Sequence, residues 1–219
     1  MARPAADPKG GVIVVQEAFG VTPHIRSICE RLASAGYVAI APEFFHRTGS
    51  PVLEYGDYEK VMPNMARLSA DGLANDVAAA IDALDAEGVA PTHRGIVGFC
   101  MGGTVALWAG TAFEFGAAVT FYGGGVVEGR FGLPSLLDAA PRLRCPWLGL
   151  FGDQDRGIPS EQVELLAAAA ATAPVDTEVH RYPEAGHGFN CDDRDAYHEA
   201  SAADAWGRTL AWFDTHLIG

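Results

Sequence analysis

The sequence predicts an α/β fold in which a mostly parallel sheet of about six strands lies between two layers of helices. Short apolar segments alternate with helical patterns along the whole chain of 219 residues. The clearest of these segments are continuous runs rich in β-branched residues, which is typical of strands buried on both faces of a sheet. Strands that alternate with helices join by right-handed crossovers into one parallel sheet. We therefore expect a single domain over 1–219.

The strands and helices are each predicted from a local pattern. The predicted strands are 11–17, 37–41, 94–99, 116–122, 146–151 and 177–182. Thr22 and Pro23 suit the N-cap and the first position of a helix, so the first helix begins there. Further helices are predicted at 70–87, directly after Cys100, at 160–172 and at the end of the chain, where Trp206, Leu210, Phe213 and Leu217 share one face.

The segment 42–69 has no sustained periodicity, because Pro51, Gly56 and Pro63 interrupt it. It contains aromatic and charged side chains and has room for one short helix. Long ordered loops in compact domains are usually functional. We therefore predict that 42–69 forms a lid or a wall of a substrate site.

The charge balance disfavours nucleic acids and anionic membranes as partners. Acidic residues outnumber basic ones by 28 to 15, and the net charge is −13. The basic residues are scattered and include only two lysines, Lys9 and Lys60, whereas nucleic-acid binding calls for a basic patch. No apolar run reaches the roughly 18 residues of a membrane span, and 1–9 lacks a signal-type apolar stretch. A cytoplasmic location is expected.

The cysteines give no indication of a metal site. Cys29, Cys100, Cys145 and Cys191 form no CxxC pair, and no histidine lies at zinc-ligand spacing from them. We expect free thiols, no metal and no cofactor.

A candidate nucleophile lies in the segment Gly98-Phe99-Cys100-Met101-Gly102-Gly103, between a strand and a helix. The form is G-x-nucleophile-x-G, in which the turn is so tight that flanking side chains would collide with the backbone. A cysteine here lies at a helix N-terminus, where the helix dipole favours a thiolate. The N–H of Met101 is placed to face a developing oxyanion.

A cysteine nucleophile needs a base, and the base needs an orienting acid. On this type of turn the chain order is nucleophile, acid, histidine. His187 lies between two glycines directly after the last predicted strand. Asp153 and Asp155 both follow the preceding strand, and Asp155 is favoured because it is nearer the turn at Gly157. Cys100, His187 and Asp155 are therefore the predicted triad.

At these residues the sequence resembles the dienelactone hydrolase family, over nearly the whole chain from Gly11 onward. The motifs that carry the resemblance are VIVVQEAFGV, GFCMGG, GDQDRGIP and AGHGF. The resemblance implies an α/β-hydrolase fold and a Cys–His–Asp triad that cleaves an enol-lactone or a related ester. It also implies that Glu17, after the first strand, holds the resting thiol, and that the N–H of Ala18 is the second oxyanion donor. Tyr122, Arg67, Phe189 and Phe45 are the expected substrate-binding residues.

Two departures from the family pattern lead to further expectations. Family members have two strands before the first buried strand, and here these are expected to be missing, leaving an edge that a partner subunit could cover. The family binds a substrate carboxylate with arginines, one of them just after the histidine, where this chain has Asn190 and Cys191. Arg194 is near but out of register, so a less anionic ester or lactone is expected as substrate.

Two other functions fit the same fold. One is a catalytically silent ligand-binding protein, because fold alone does not fix function. The other is a redox sensor that uses Cys100, with Cys191 as a thiol that could lie nearby. For the hydrolase, a small-molecule ester or lactone substrate and a monomer or homodimer are expected.

Overall fold

The fold is built on one sheet of six parallel strands. The computed structural model describes residues 1–217, so positions 218 and 219 of the predicted domain lie outside it. The strands are β1 (Gly10–Val15), β2 (Tyr37–Ile40), β3 (Arg94–Phe99), β4 (Ala117–Phe121), β5 (Trp147–Gly152) and β6 (Thr177–Tyr182). Their order in the sheet is β2-β1-β3-β4-β5-β6, and every neighbouring pair is parallel. The predicted sheet is confirmed, with strand ends shifted by one or two residues.

Helices connect the strands in the predicted order. They are α1 (Pro23–Ser34), α2 (Tyr58–Met65), α3 (Ala70–Ala86), α4 (Met101–Ala112), α5 (Leu136–Ala139), α6 (Ser160–Ala170) and α7 (Glu199–His216). Short 3-10 turns cover His46–Thr48, Pro91–His93 and Ala140–Arg142. Thr22 caps α1 as predicted, accepting the N–H of Ile25, and Pro23 is the first helical residue. The single-turn α5 was not predicted, because four residues carry too little periodicity.

Two glycines show that helices cover both faces of the sheet. A side chain at Gly11 would meet Leu84 of α3, whereas one at Gly95 would meet Phe213 of α7. Gly11 pairs with Arg94, so Gly11 and Gly95 point to opposite faces. A side chain at Gly98 would collide with Gly102 of α4, on the same face as α3. The molecule is therefore a three-layer sandwich.

The strand order reverses between β1 and β3. The chain moves outward from β1 to β2, and then returns to the other side of β1 to build β3 through β6. In open parallel sheets, ligands bind at the carboxyl ends of the strands beside such a reversal. Gln16 and Glu17 follow β1, and Cys100 follows β3, so both ends carry polar or reactive residues.

The edge at β2 is partly covered by the chain itself. Ala2 and Ala39 exchange two backbone hydrogen bonds, of 2.8 and 2.9 Å, in antiparallel orientation. A partner subunit is therefore not needed to occupy this part of the edge. No helix within the described residues 1–217 combines the length and apolar character that crossing a membrane requires.

The segment 42–69 contains one 3-10 turn and α2, and it is tied to the residues that follow β1. The N–H of Leu53 donates to the carbonyl of Phe19, at 2.9 Å. The hydroxyl of Tyr55 lies 3.2 Å from that of Thr22. Positions 51–55 therefore cross over the end of β1, beside the carboxyl ends of the central strands.

Candidate active site

Cys100 lies on a strained turn between β3 and α4. Its φ of 56° and ψ of −117° are rare for a residue with a side chain. Glycines make the turn possible, because a side chain at Gly98 would collide with the Gly102 carbonyl, and one at Gly103 with the Phe121 carbonyl. Strain of this kind persists only where the surrounding structure imposes it, and it is concentrated at functional sites.

The structure brings Cys100, His187 and Asp155 into one chain of hydrogen bonds. His187 Nε2 lies 3.1 Å from Cys100 Sγ, and His187 Nδ1 lies 2.6 Å from Asp155 Oδ2. The other oxygen of Asp155 accepts the N–H of Gly157 at 2.8 Å, which fixes the carboxylate. Asp153, the alternative acid, instead pairs with Arg181 at 2.7 Å. Of the two acids, only Asp155 contacts the imidazole.

The environment of His187 favours its protonated form. Burial of the ring opposes protonation, but the hydrogen bonds to Asp155 and Cys100 outweigh it and raise the pKa of His187 from 6.5 to about 10. A protonated ring donates from both nitrogens, one to the carboxylate and one to the sulfur. The arrangement therefore favours an imidazolium beside the sulfur of Cys100.

Two backbone N–H groups, of Met101 next to Cys100 and of Ala18 after β1, are available to a ligand. Met101 is the first residue of α4, and Ala18 lies just after β1. Within residues 1–217 neither N–H donates a hydrogen bond to another backbone or side-chain group. A side chain at Gly102 would collide with the carbonyls of Val15 and Gln16, so the start of α4 packs against the end of β1. The N–H groups of Met101 and Ala18 are unpaired and lie on adjoining elements, so they are suited to donate hydrogen bonds to an oxyanion.

Glu17 contacts an arginine rather than the thiol. Its Oε1 lies 3.1 Å from Arg194 Nη1, and its side chain is fully buried. Glu17 Oε2 has no hydrogen-bond partner within the described chain. The sulfur of Cys100 is hydrogen-bonded to His187 instead. The expected hydrogen bond between Glu17 and the thiol is therefore not formed, because the buried carboxylate has a guanidinium available as a stronger partner.

Arg194 is a site residue that the sequence reasoning set aside as out of register. Its guanidinium lies 5.6 Å from the ring of Phe19 and 5.7 Å from that of Tyr55, and its side chain is only 15% exposed. The loop after His187 doubles back, and Gly188, with φ of +83°, leaves space that the guanidinium fills. Arg194 therefore lies against Glu17 although it is out of register with the family arginine, because the loop geometry, not the register, sets its position.

The four expected substrate-binding residues divide into two pairs. Tyr122 packs against the imidazole, with ring centroids 5.1 Å apart, and Phe189 packs against Tyr122 at 5.4 Å. The hydroxyl of Tyr122 is buried without a partner among the described residues, and burial raises its pKa well above the usual value. Phe45 is buried in the core, and Arg67 is exposed; no hydrogen bond, ion pair or ring contact joins either to the triad.

The other cysteines differ from Cys100 in exposure. All four are free thiols, as expected, and only Cys100 is partly exposed. Burial raises the pKa of Cys29 to about 11 and that of Cys145 to about 12, so both remain protonated. Burial also raises the pKa of Cys191 to about 11, although a hydrogen bond to Tyr55 opposes this.

A six-strand parallel sheet with a strained strand-to-helix turn, followed by an acid and a histidine on later strand ends, is the arrangement of the α/β-hydrolases. The protein is of that class. The family model described as "Dienelactone hydrolase family" matches residues 1–217, and the chain belongs to this family. The resemblance noted from the sequence is confirmed, and with it the prediction that the protein is a dienelactone hydrolase-like hydrolase.

Individual relatives agree with this assignment. A Yersinia pestis protein with the provisional name carboxymethylenebutenolidase is 41% identical over 215 residues, covering 94% of this chain and 78% of that protein. A Bradyrhizobium protein with the provisional name 2-oxo-3-(5-oxofuran-2-ylidene)propanoate lactonase is 30% identical, covering 100% and 89%. The crystal structure of a provisionally named dienelactone hydrolase from Klebsiella pneumoniae has a TM-score of 0.88 and 40% identity, covering 97% of this chain and 90% of that one.

Proposed function

We propose that this protein hydrolyses a lactone or carboxylic ester that carries a carboxylate group, with Cys100 as its nucleophile. The observation that carries the proposal is the continuous chain from Cys100 Sγ through His187 to Asp155, with distances of 3.1 and 2.6 Å. Both distances are within hydrogen-bond reach, as a nucleophile and its base require.

The reaction proceeds through an acyl-enzyme. The Cys100 thiolate attacks the carbonyl carbon, and the carbonyl electrons move to the oxygen, where the N–H groups of Met101 and Ala18 donate to it. The C–O bond then breaks, and the His187 imidazolium protonates the leaving oxygen. A water that gives its proton to the neutral imidazole attacks the thioester. Collapse of the second intermediate releases the acid and regenerates the thiolate.

Arg194 is proposed to bind the substrate carboxylate. A guanidinium binds carboxylates through two parallel hydrogen bonds, and Glu17 occupies Arg194 through only one contact, at 3.1 Å. The name of the Bradyrhizobium relative, a propanoate lactonase, describes a substrate of this kind for that protein. These observations favour an anionic substrate over the less anionic one that the sequence suggested.

The segment 42–69 is proposed to form one wall of the substrate site. Tyr55 supports this role, because its ring lies beside the Arg194 guanidinium and its hydroxyl contacts Thr22 and Cys191. This segment thus holds the side chains around Arg194 in place.

A paired substrate panel tests the proposal. Each lactone or short acyl ester is offered with and without a carboxylate group, and hydrolysis is followed before and after treatment with iodoacetamide. We expect turnover of at least one pair, preference for its carboxylate member, and loss of turnover when Cys100 is alkylated. Turnover that survives complete alkylation of Cys100 would remove the cysteine mechanism. A preference for the neutral members would remove the role of Arg194.

A further inference from the structure

Three side chains outside the triad bring together the ligand types that bind soft metal ions. His24 is the second residue of α1, and Cys191 and Asp192 lie in the loop that follows His187. One ligand atom from each of the three lies within 4.8 Å of the others. The sequence could not indicate this cluster, because His24 is far from the other two along the chain.

The imidazole of His24 has unused bonding capacity. Its side chain is only 3% exposed, and its Nε2 has no hydrogen-bond partner within residues 1–217. The other nitrogen, Nδ1, lies 3.5 Å from Asp192 Oδ1, at the limit of a hydrogen bond. Buried polar atoms are nearly always paired, so a buried imidazole with one unpaired and one weakly paired nitrogen calls for an explanation.

We propose that His24, Cys191 and Asp192 form a binding site for a soft divalent cation of the zinc type. Imidazole, thiolate and carboxylate are the ligands that zinc takes in proteins, and a site with three protein ligands keeps a water in the fourth position. The site uses none of the triad residues, and it meets the proposed substrate site only where Cys191 contacts Tyr55.

Forming the site requires only small movements. Zinc–ligand bonds of about 2.0–2.3 Å separate tetrahedral ligands by roughly 3.5 Å, so the side chains must close by about 1 Å. The Asp192 side chain is 73% exposed, so it can rotate inward and leaves the ion a path from solvent. Cys191 now donates its proton to the Tyr55 hydroxyl, at 3.2 Å. Metal binding releases that proton to solvent.

Two neighbouring charges act on a bound cation in opposite directions. Burial lowers the pKa of His24, but the carboxylate of Glu17, which is paired with Arg194, acts to raise it and so favours positive charge at the imidazole. The guanidinium of Arg31, which stacks on Trp206 at 4.0 Å, faces both His24 and Asp192 and disfavours it. Removing the charge of Arg31 should therefore strengthen binding.

Titration of the full chain with Zn²⁺ and Co²⁺ tests the site. The Cys100→Ala variant serves as background, so that the triad sulfur cannot bind the metal. Calorimetry should show one Zn²⁺ per chain, and Co²⁺ should give a thiolate charge-transfer absorption. Cys191→Ser should abolish that absorption, and His24→Gln should weaken Zn²⁺ binding by at least about tenfold, since even supporting contacts of a metal site are worth that much. Cys145→Ser, another buried thiol, is the matched control and should change nothing.

Two variants at the exposed Asp192 and the partly exposed Arg31 keep the test decisive if a variant of His24 or Cys191 fails to fold. Asp192→Asn should weaken Zn²⁺ binding, and Arg31→Gln should tighten it, with circular dichroism confirming the fold of each. The proposal is wrong if the Cys100→Ala chain binds no stoichiometric Zn²⁺. It is equally wrong if binding is unchanged in folded Cys191→Ser or Asp192→Asn.

Discussion

Two charged groups lie at the same end of the sheet, and they differ in how completely they are hydrogen-bonded. In the triad, Cys100, His187 and both oxygens of Asp155 all have partners. In the other pair, Glu17 gives one oxygen to Arg194 and leaves the second without a partner in the described chain. The first group is fully organised before a substrate arrives. The Glu17–Arg194 pair can still form further hydrogen bonds, which suits a pair that binds a charged group of the substrate.

The largest effect, on kcat, should come from removing the sulfur of Cys100. Cys100→Ala should lower kcat by about 10⁵- to 10⁶-fold, since loss of a nucleophile removes the covalent route altogether. Initial rates on the preferred ester measure this. Cys145→Ala, a thiol buried away from the triad, should keep wild-type rates. Near-normal turnover by Cys100→Ala would mean that another group is the nucleophile.

The next effect separates the two neighbouring acids. Asp155→Asn should lower kcat by about 10⁴-fold, because an amide no longer fixes the imidazole in the required tautomer. Asp153→Asn removes only the ion pair with Arg181 and should leave kcat nearly unchanged. Equal losses in the two variants would contradict the assignment of Asp155. The same preparations should unfold at similar denaturant concentrations, which separates loss of chemistry from loss of fold.

These two predictions rest on residues that the sequence identified. The position of Cys100 could be predicted because its tight turn requires glycines. The meeting of Cys100, Asp155 and His187 could be predicted because a parallel sheet brings its strand ends together. Arg194 could not be placed, since the irregular loop after His187 brings it back to Gly188 without any periodic signal. The positions of Phe45 and Arg67, which make no hydrogen bond, ion pair or ring contact with the triad, could not be predicted either. Their segment, 42–69, is held by contacts of Leu53 and Tyr55 that no local pattern shows.

A smaller effect, on KM, should come from changing the Glu17–Arg194 pair. Arg194→Gln should raise KM for a carboxylate-bearing substrate by about 10- to 100-fold, the equivalent of one charged hydrogen bond. A matched neutral ester should be much less affected. Arg142→Gln, at an exposed arginine in the 3-10 turn before β5, is the control and should leave both KM values unchanged.

The arginine variant also carries a cost in stability. Breaking a buried ion pair leaves an uncompensated charge, at about 3–5 kcal/mol. The double variant Glu17→Gln with Arg194→Gln removes both charges and should restore folding without restoring carboxylate preference. A double variant that regains the preference would show that Arg194 acts only on stability.

The pH dependence of kcat/KM should report the protonation state of the His187 imidazole. The pKa of His187 is raised from 6.5 to about 10, so kcat/KM should fall roughly tenfold per pH unit above about pH 10, where the ring can no longer protonate the leaving oxygen. His187 also contributes to the free energy of unfolding. Because its pKa is raised in the folded state, that contribution is complete below about pH 6.5 and is lost as the pH rises through about 10.

The control for this profile is the Asp155→Asn variant. It lacks one of the two hydrogen bonds that raise the pKa of His187, so its alkaline limb should lie at lower pH. Titration of the imidazole by NMR reads the same change without turnover. A limb that stays in place in Asp155→Asn would show that another group titrates there.

The central claim is that the sulfur of Cys100 becomes acylated during turnover. Wild-type protein is mixed with a chromogenic acyl ester, quenched in acid within the first turnovers, and digested for mass spectrometry. The account predicts an acyl group of the substrate's mass on the peptide that contains Cys100, and none on the peptides with Cys29, Cys145 or Cys191. Continued turnover with no acyl group on Cys100, or with one on a different residue, would contradict it.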